Sequence, residues 1–311
     1  MQNTTCDVVK ILICIFGPVF MMKKYTSLGE LLFDYREYHN ISQQELADML
    51  NLDVRTIQRW ENNQTLIKPD KEEEIVLETL LPYQLIRNLN GAVAIPTFYD
   101  LSMRKYSLTP LNNKLPNVLW LKEELTEATG HIQTIEDNSY LEFILRNISR
   151  PKDSPQPVKP LLILEAARRL PELNVVITDD SGFYAGHSIV LPVNEGIFEK
   201  LKNREIAENE INVSDLVNNR HSENLFFYNY DTTADSNISL YYLTQYYWKF
   251  FRKLQQTDYT YGSFNIRNDS HEFNKQLGLK MIWEDEETQQ RRGLQNPPRF
   301  YVGNFKEYLS E

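Results

Sequence analysis

Residues 41–68, ISQQELADMLNLDVRTIQRWENNQTLIK, constrain this chain more than any other stretch. They read as two short helices joined by a tight turn. Ser42 and Glu45 have the spacing of a capping box, in which hydroxyl and carboxylate each satisfy a free backbone N–H at a helix start. Leu46, Ala47 and Leu50 then share one face, at the spacing of a buried stripe. Asn51 and Leu52 form the turn, and Asp53 suits the cap of the second helix. That helix buries Ile57 and Trp60 and leaves Val54, Arg55, Gln58 and Arg59 on a face with no apolar partner. A short helix with hydrogen-bonding side chains near its N-terminus is what the major groove of double-stranded DNA accepts. Arg can bond a guanine edge through two parallel N–H groups, and Gln can bond adenine in the same two-point way.

The stretch resembles the helix-turn-helix of phage Cro and repressor proteins, the XRE type. Gln43, Leu46, Ala47, Leu50, Ile57 and the triplet Arg59-Trp60-Glu61 carry the resemblance. It implies an all-α, lambda-repressor-like domain with Val54, Arg55 and Arg59 toward the bases and Gln43 and Gln64 near the DNA backbone. With Thr56 and Gln58 these residues form the expected DNA-facing set. The Gly usual after the second helix is Asn63 here, a residue that can also take the left-handed conformation.

Charge limits how such a domain binds. The chain has 311 residues and a net charge of −10, which argues against broad electrostatic capture of nucleic acid. Residues 23–68 hold six positive and seven negative side chains. Affinity must then come from a local patch around Arg55, Arg59 and Lys68, and it should be strongly salt-dependent. Hydrophobic content of 41% and aromatic content of 12% suffice for sizeable cores. The two cysteines, Cys6 and Cys14, imply neither a disulfide framework nor a metal cluster, which fits the cytoplasm.

Residues 8–22, VVKILICIFGPVFMM, are apolar apart from Lys10 and interrupted by Gly17-Pro18. At fifteen residues the run is short of the roughly 20 that a membrane helix needs. Two readings stay open for residues 1–22: a start codon placed before the true first residue, Met21 or Met22, or a membrane or export signal. Ser27 with Glu30 starts the next helix, whose Leu28, Leu31, Leu32 and Tyr35 follow helical spacing. A further helix follows Pro69 and is kinked or ended by Pro82. These helices complete an expected all-helical domain over residues 23–90. Residues 91–130, with Pro96, Pro110 and Pro116, read as a connecting segment.

From His131 the rhythm changes to that of a mixed sheet, with the order βααββαβαβαβ over residues 131–311. The hairpin strands are residues 174–178 and YAGHSIVLPV around Asp179-Asp180-Ser181-Gly182. NLFFYN is a strand, and residues 238–255 form a long helix with Tyr242, Tyr246, Phe250 and Leu254 four apart. Glu284 to Glu287 read as a solvated acidic loop. This α+β, mixed-sheet domain resembles the GNAT superfamily of acyltransferases through its element order and the segments GHSIVLPVNEGIFEKLKN and NIRNDSHEFNKQLGLK. The resemblance implies a Gly-rich loop, at the start of the long helix, that binds the pyrophosphate of acetyl-CoA. Here that loop reads YDTTADS, without glycine, and Asp231 and Asp235 would repel a phosphate. Asn274 stands where the family often has a Tyr acid.

The expected function is a DNA-binding regulator, with catalytic residues, cofactor and metal all read as none. The second domain would sense a small-molecule or acyl-CoA ligand, or form a homodimer through its Tyr- and Trp-rich helix. One alternative is an acetyl-CoA-dependent N-acyltransferase targeted by its helix-turn-helix. Another is a helical domain that serves as an adaptor for a protein partner. His187 reads as a satisfied sheet residue, and His131, His221 and His271 lack metal-site spacing.

Overall fold

The computed structural model describes residues 23–108, 132–136, 139–149, 157–218, 224–266, 268–292, 294 and 296–310. The leader with Cys6 and Cys14, most of the connecting segment, His131 and His221 lie outside them. The chain divides into two compact units, residues 1–111 and 112–311. No helix among the described residues is long and apolar enough to cross a membrane.

The first unit runs β1 (Lys23–Tyr25), α1 (Leu28–His39), α2 (Gln43–Met49), α3 (Val54–Glu61), α4 (Pro69–Thr79), α5 (Tyr83–Leu89), β2 (Thr97–Asp100) and β3 (Lys105–Ser107). Its core is the set the helical spacing predicts: Leu28, Leu31, Leu32 and Tyr35 meet Leu46, Ala47, Leu50, Ile57 and Trp60, none more than 6% exposed. Three successive helices end on an asparagine in the left-handed region: Asn40 (φ 51°), Asn51 (φ 49°) and Asn63 (φ 53°). After each, the next amide reaches back five residues: Ile41 to the Arg36 carbonyl (3.0 Å), Leu52 to Ala47 (2.8 Å) and Gln64 to Arg59 (2.8 Å). This is the Schellman closure, with Asn doing what Gly usually does. Gly29 lets α1 approach the end of α3, since a Cβ there would stand 2.4 Å from the Trp60 carbonyl oxygen.

The expectation of an all-helical first domain is corrected. β2 lies in the stretch read as a connecting segment and pairs antiparallel with both β1 and β3. Tyr25, Thr97 and Tyr99 are buried by this small sheet. The Asp100 carboxylate holds the hairpin turn by accepting from the amides of Ser102 (2.8 Å) and Met103 (2.9 Å). Strands of three or four residues carry too little alternation to be read locally, and their pairing spans about 70 residues of chain.

The second unit runs β4 (Ile132–Thr134), α6 (Leu141–Ser149), α7 (Pro160–Arg169), β5 (Val175–Thr178), β6 (Tyr184–Val193), α8 (Glu195–Lys202), β7 (Asn224–Ala234), α9 (Asn237–Lys253), β8 (Asp258–Asn265), α10 (Asn268–Gln276), β9 (Lys280–Glu284), α11 (Glu286–Arg292), β10 (Arg299–Gly303) and α12 (Lys306–Ser310). Among the described residues the sheet order is β4-β5-β6-β7-β8-β10-β9, all antiparallel except β7 with β8. One face packs Val176, Ile189, Leu191 and Val193 with Ile144, Leu162 and Ala166 of α6 and α7. The other packs Val190, Phe227 and Tyr301 with Trp248 and Phe251 of α9. Leu161 turns outward from α7 at 64% exposure. Buried Asn174 ties α7 to β6: its amide donates to the carbonyls of Leu170 and Val190, both at 2.9 Å, and its oxygen accepts from the Val190 amide at 3.1 Å.

Two further expectations change. The stretch YDTTADS is not a loop: β7 continues to Ala234 past an irregularity at Tyr230, with Asp231 facing Ile189 and Ala234 facing Gly186. Its pairing with β8 ends at Asn229, so the two parallel strands part there. The acidic run from Glu284 is not a loop either: Glu284 closes β9 and Glu286 opens α11, whose acids lead and whose Arg291 and Arg292 trail, as the helix dipole favours.

Candidate nucleic-acid interface

The two helices of the motif are set by their own caps. Glu45 donates its backbone N–H to the Ser42 hydroxyl (3.1 Å), and the Ser42 amide donates to the Glu45 carboxylate (2.6 Å). That backbone hydrogen bond, above all, holds the Glu45 carboxyl below its usual range. The Asp53 carboxylate accepts from the Arg55 amide (2.8 Å) and starts α3.

Beneath α3 lies a charged hub that the sequence reading did not single out. Arg36 donates to both oxygens of Glu61, Nε to Oε1 at 2.5 Å and Nη2 to Oε2 at 2.9 Å. Only 8% and 5% of the two side chains are exposed. The hydrogen bond to Glu61 raises the Arg36 pKa above its ordinary value. Arg36 also donates to the Ile41 carbonyl at 3.2 Å, which fixes the entry to α2. Glu61 accepts a third bond, from Gln43 Nε2 at 2.7 Å, and the Gln43 oxygen accepts from Gln58 Nε2 at 3.3 Å. A signal did exist: Arg36 stands four residues after Leu32 and Glu61 four after Ile57. Each charge therefore sits on the buried side of its helix.

Arg55, Gln58, Arg59 and Gln64 are exposed, while Val54, Thr56 and Gln43 are half-buried. Arg55, Gln58 and Arg59 share one stripe of α3, continued by Asn62 at its C-cap, three and four residues apart. Neither Arg55 nor Arg59 has a carboxylate partner among the described residues. Asn62, absent from the expected set, donates to the Gln58 backbone carbonyl at 2.7 Å. Gln43 differs from its expected surroundings in one respect: both ends of its amide are engaged within the protein. Gln64 sits just past the Schellman turn, outside α3.

In the second unit, α9 begins two residues after β7. Ser236 caps it, its hydroxyl accepting from the Ser239 amide at 3.2 Å. The Asp235 carboxylate accepts from the Ser239 hydroxyl at 2.8 Å, and burial pushes its pKa up to about 7. On the opposite face, His187 is fully buried between the Tyr184 hydroxyl at Nδ1 and Asp231, whose Oδ2 lies 2.6 Å from Nε2. Glu208 accepts from the Tyr228 hydroxyl at 2.5 Å and is raised to about 7, mainly by burial. Asn274 is buried in α10, and its Nδ2 has no hydrogen-bond partner among the described residues. Among the described residues no cluster of His, Cys, Asp or Glu could hold a metal ion.

A helix-turn-helix family model matches residues 32–71, which span α2 and α3 with most of α1. No curated protein matches the chain in sequence. Among solved structures the chain is similar to Drosophila melanogaster polyamine N-acetyltransferase, at 11% identity and a TM-score of 0.35, covering 56% of this chain and 98% of that one. It is also similar to the C-terminal condensation domain of Ebony in complex with β-alanyl-dopamine, at 11% identity and a TM-score of 0.29, covering 61% of this chain and 96% of that one. At those TM-scores neither likeness carries an argument about activity. Residues 32–71 are thus a helix-turn-helix, followed by a mixed α/β sheet unit.

Proposed function

We propose that this chain is a cytoplasmic, sequence-specific DNA-binding regulator of transcription. Its second unit is a GNAT-like domain that senses a ligand or forms a homodimer, without catalysis. The exposed stripe of α3 carries the reading: Arg55, Gln58 and Arg59 stand together on a helix that the Arg36–Glu61 pair holds from below. Cationic and amide side chains held on one short helix suit base edges in a major groove. Two half-sites read by such helices call for a two-fold partner, which favours the homodimer.

Several observations support the non-catalytic assignment. A pyrophosphate at the start of α9 would need free backbone donors and close approach. It would meet the Asp235 carboxylate instead, beside a cap already filled by Ser236 and Ser239. These residues do not fit acetyl-CoA, and Asn274 offers no proton of useful pKa.

Replacement of Arg59 by alanine tests the DNA reading. Affinity for the specific site falls by about 1–3 kcal/mol and preference relaxes at one base pair. An equal loss on every sequence would mean that Arg59 touches only phosphate.

A further inference from the structure

We propose that Gln58 is locked with its carbonyl oxygen outward, so that it reads adenine, and that Glu61 and Gln43 are the residues that lock it. This deepens the DNA-binding reading and rests on it.

The lock follows from which groups can donate and which can only accept. A guanidinium only donates, and an ionised carboxylate only accepts. Arg36 holds both oxygens of Glu61 in a buried two-point pair. Glu61 is thereby fixed as an acceptor. The part of Gln43 that faces it at 2.7 Å is therefore the NH2 group. The Gln43 carbonyl oxygen must then point the other way, toward α3. What it meets there at 3.3 Å is therefore the NH2 group of Gln58. One amide proton of Gln58 is used in this bond. Its carbonyl oxygen and second N–H remain for a partner, on the same exposed stripe as Arg55 and Arg59.

Turning over either amide breaks the chain. A flipped Gln58 sets two carbonyl oxygens against each other. A flipped Gln43 sets its oxygen against the Glu61 carboxylate and forfeits a charge-assisted bond. The polarity of a surface amide is thus dictated by Arg36, which lies on another helix. A free glutamine can rotate to suit several bases, but this one offers an acceptor beside a donor. Adenine presents the matching pair in the major groove, an N6–H2 donor and the N7 acceptor. Guanine presents acceptors at both N7 and O6, so its O6 would oppose the fixed oxygen.

The test uses the full chain and a duplex library with a randomised core. Binding sites are enriched, and each adenine is then exchanged for guanine or 7-deazaadenine in competition titrations. One adenine should be preferred over guanine by roughly 5- to 150-fold, the span of one good bidentate contact. Gln58→Ala should remove that preference and leave every other position unchanged. Gln43→Leu spares the Arg36–Glu61 pair and should remove most of the same preference through orientation alone. In a Gln58→Ala background it should add nothing, and 7-deazaadenine should weaken binding only where Gln58 is present. If Gln58→Ala alters a position occupied by guanine, or Gln43→Leu leaves every base preference intact, the proposal is overturned. Enrichment of no site at all would instead overturn the DNA-binding reading beneath it.

Discussion

Glu61→Ala is the most informative single perturbation of the first unit. It removes the acceptor of two Arg36 bonds and one Gln43 bond, and it leaves a guanidinium only 8% exposed without its counter-ion. Breaking a buried pair from one side costs about 3–5 kcal/mol, because the remaining charge stays desolvated. Replacing both partners by apolar side chains of similar volume removes that penalty. Arg36→Met with Glu61→Leu should therefore cost only about 1–2 kcal/mol, the share of the lost bonds from Arg36 to the Ile41 carbonyl and from Gln43 to Glu61. With two units in the chain, a global denaturation curve mixes transitions. Hydrogen exchange of the Ile57 and Trp60 amides reads the opening of α3 directly. A double variant as unstable as the single one, or a single variant that costs less than about 1 kcal/mol, would refute the reasoning.

Other outcomes follow from the same structure. Gly29→Ala should destabilise the first unit by about 1–3 kcal/mol, since α1 must move off the Trp60 carbonyl, and exchange of the same amides measures it. Asp235→Asn has a pH signature in thermal melts of the second unit. Burial pushes the native carboxyl up to about 7 from an ordinary value of 3.8, so the native state binds the extra proton between those values. Stability then falls as pH rises from about 4 to 7, and the variant loses the share carried by Asp235, about 4 kcal/mol at most at 1.36 kcal/mol per unit, while the share of Glu208, also raised to about 7, stays. Calorimetric titration of the full chain with acetyl-CoA should show no saturable binding, and micromolar binding would revive the acyltransferase alternative.

What could be read from the sequence was whatever is local. The Ser42–Glu45 capping box, the Ser27 and Asp53 caps and the helical stripes lie within four residues of their partners, and these placed α1, α2 and α3 with their buried faces. The order of strands and helices from residue 132 as far as β9 was legible because hydrophobic period changes along the chain, whereas α11 and α12 were not read. The losses were long-range. β1 and β2 are identified by each other, not by their own short runs. The continuation of β7 past Tyr230 depends on pairing with β6, so Thr232 and Thr233 looked like loop residues. The Glu61 hub needed a partner 25 positions away, although its place on the buried side of α3 was visible. Likewise the amide lock on Gln58 appears only when α1, α2 and α3 are brought together.

Sequence-specific DNA binding is decided by titrating the full chain with its enriched duplex and with a scrambled duplex of the same composition, at two salt concentrations. Binding to the enriched duplex should be tighter by on the order of a thousandfold or more, with both affinities falling as salt rises. Equal affinity for the two duplexes, or binding to neither, would contradict it.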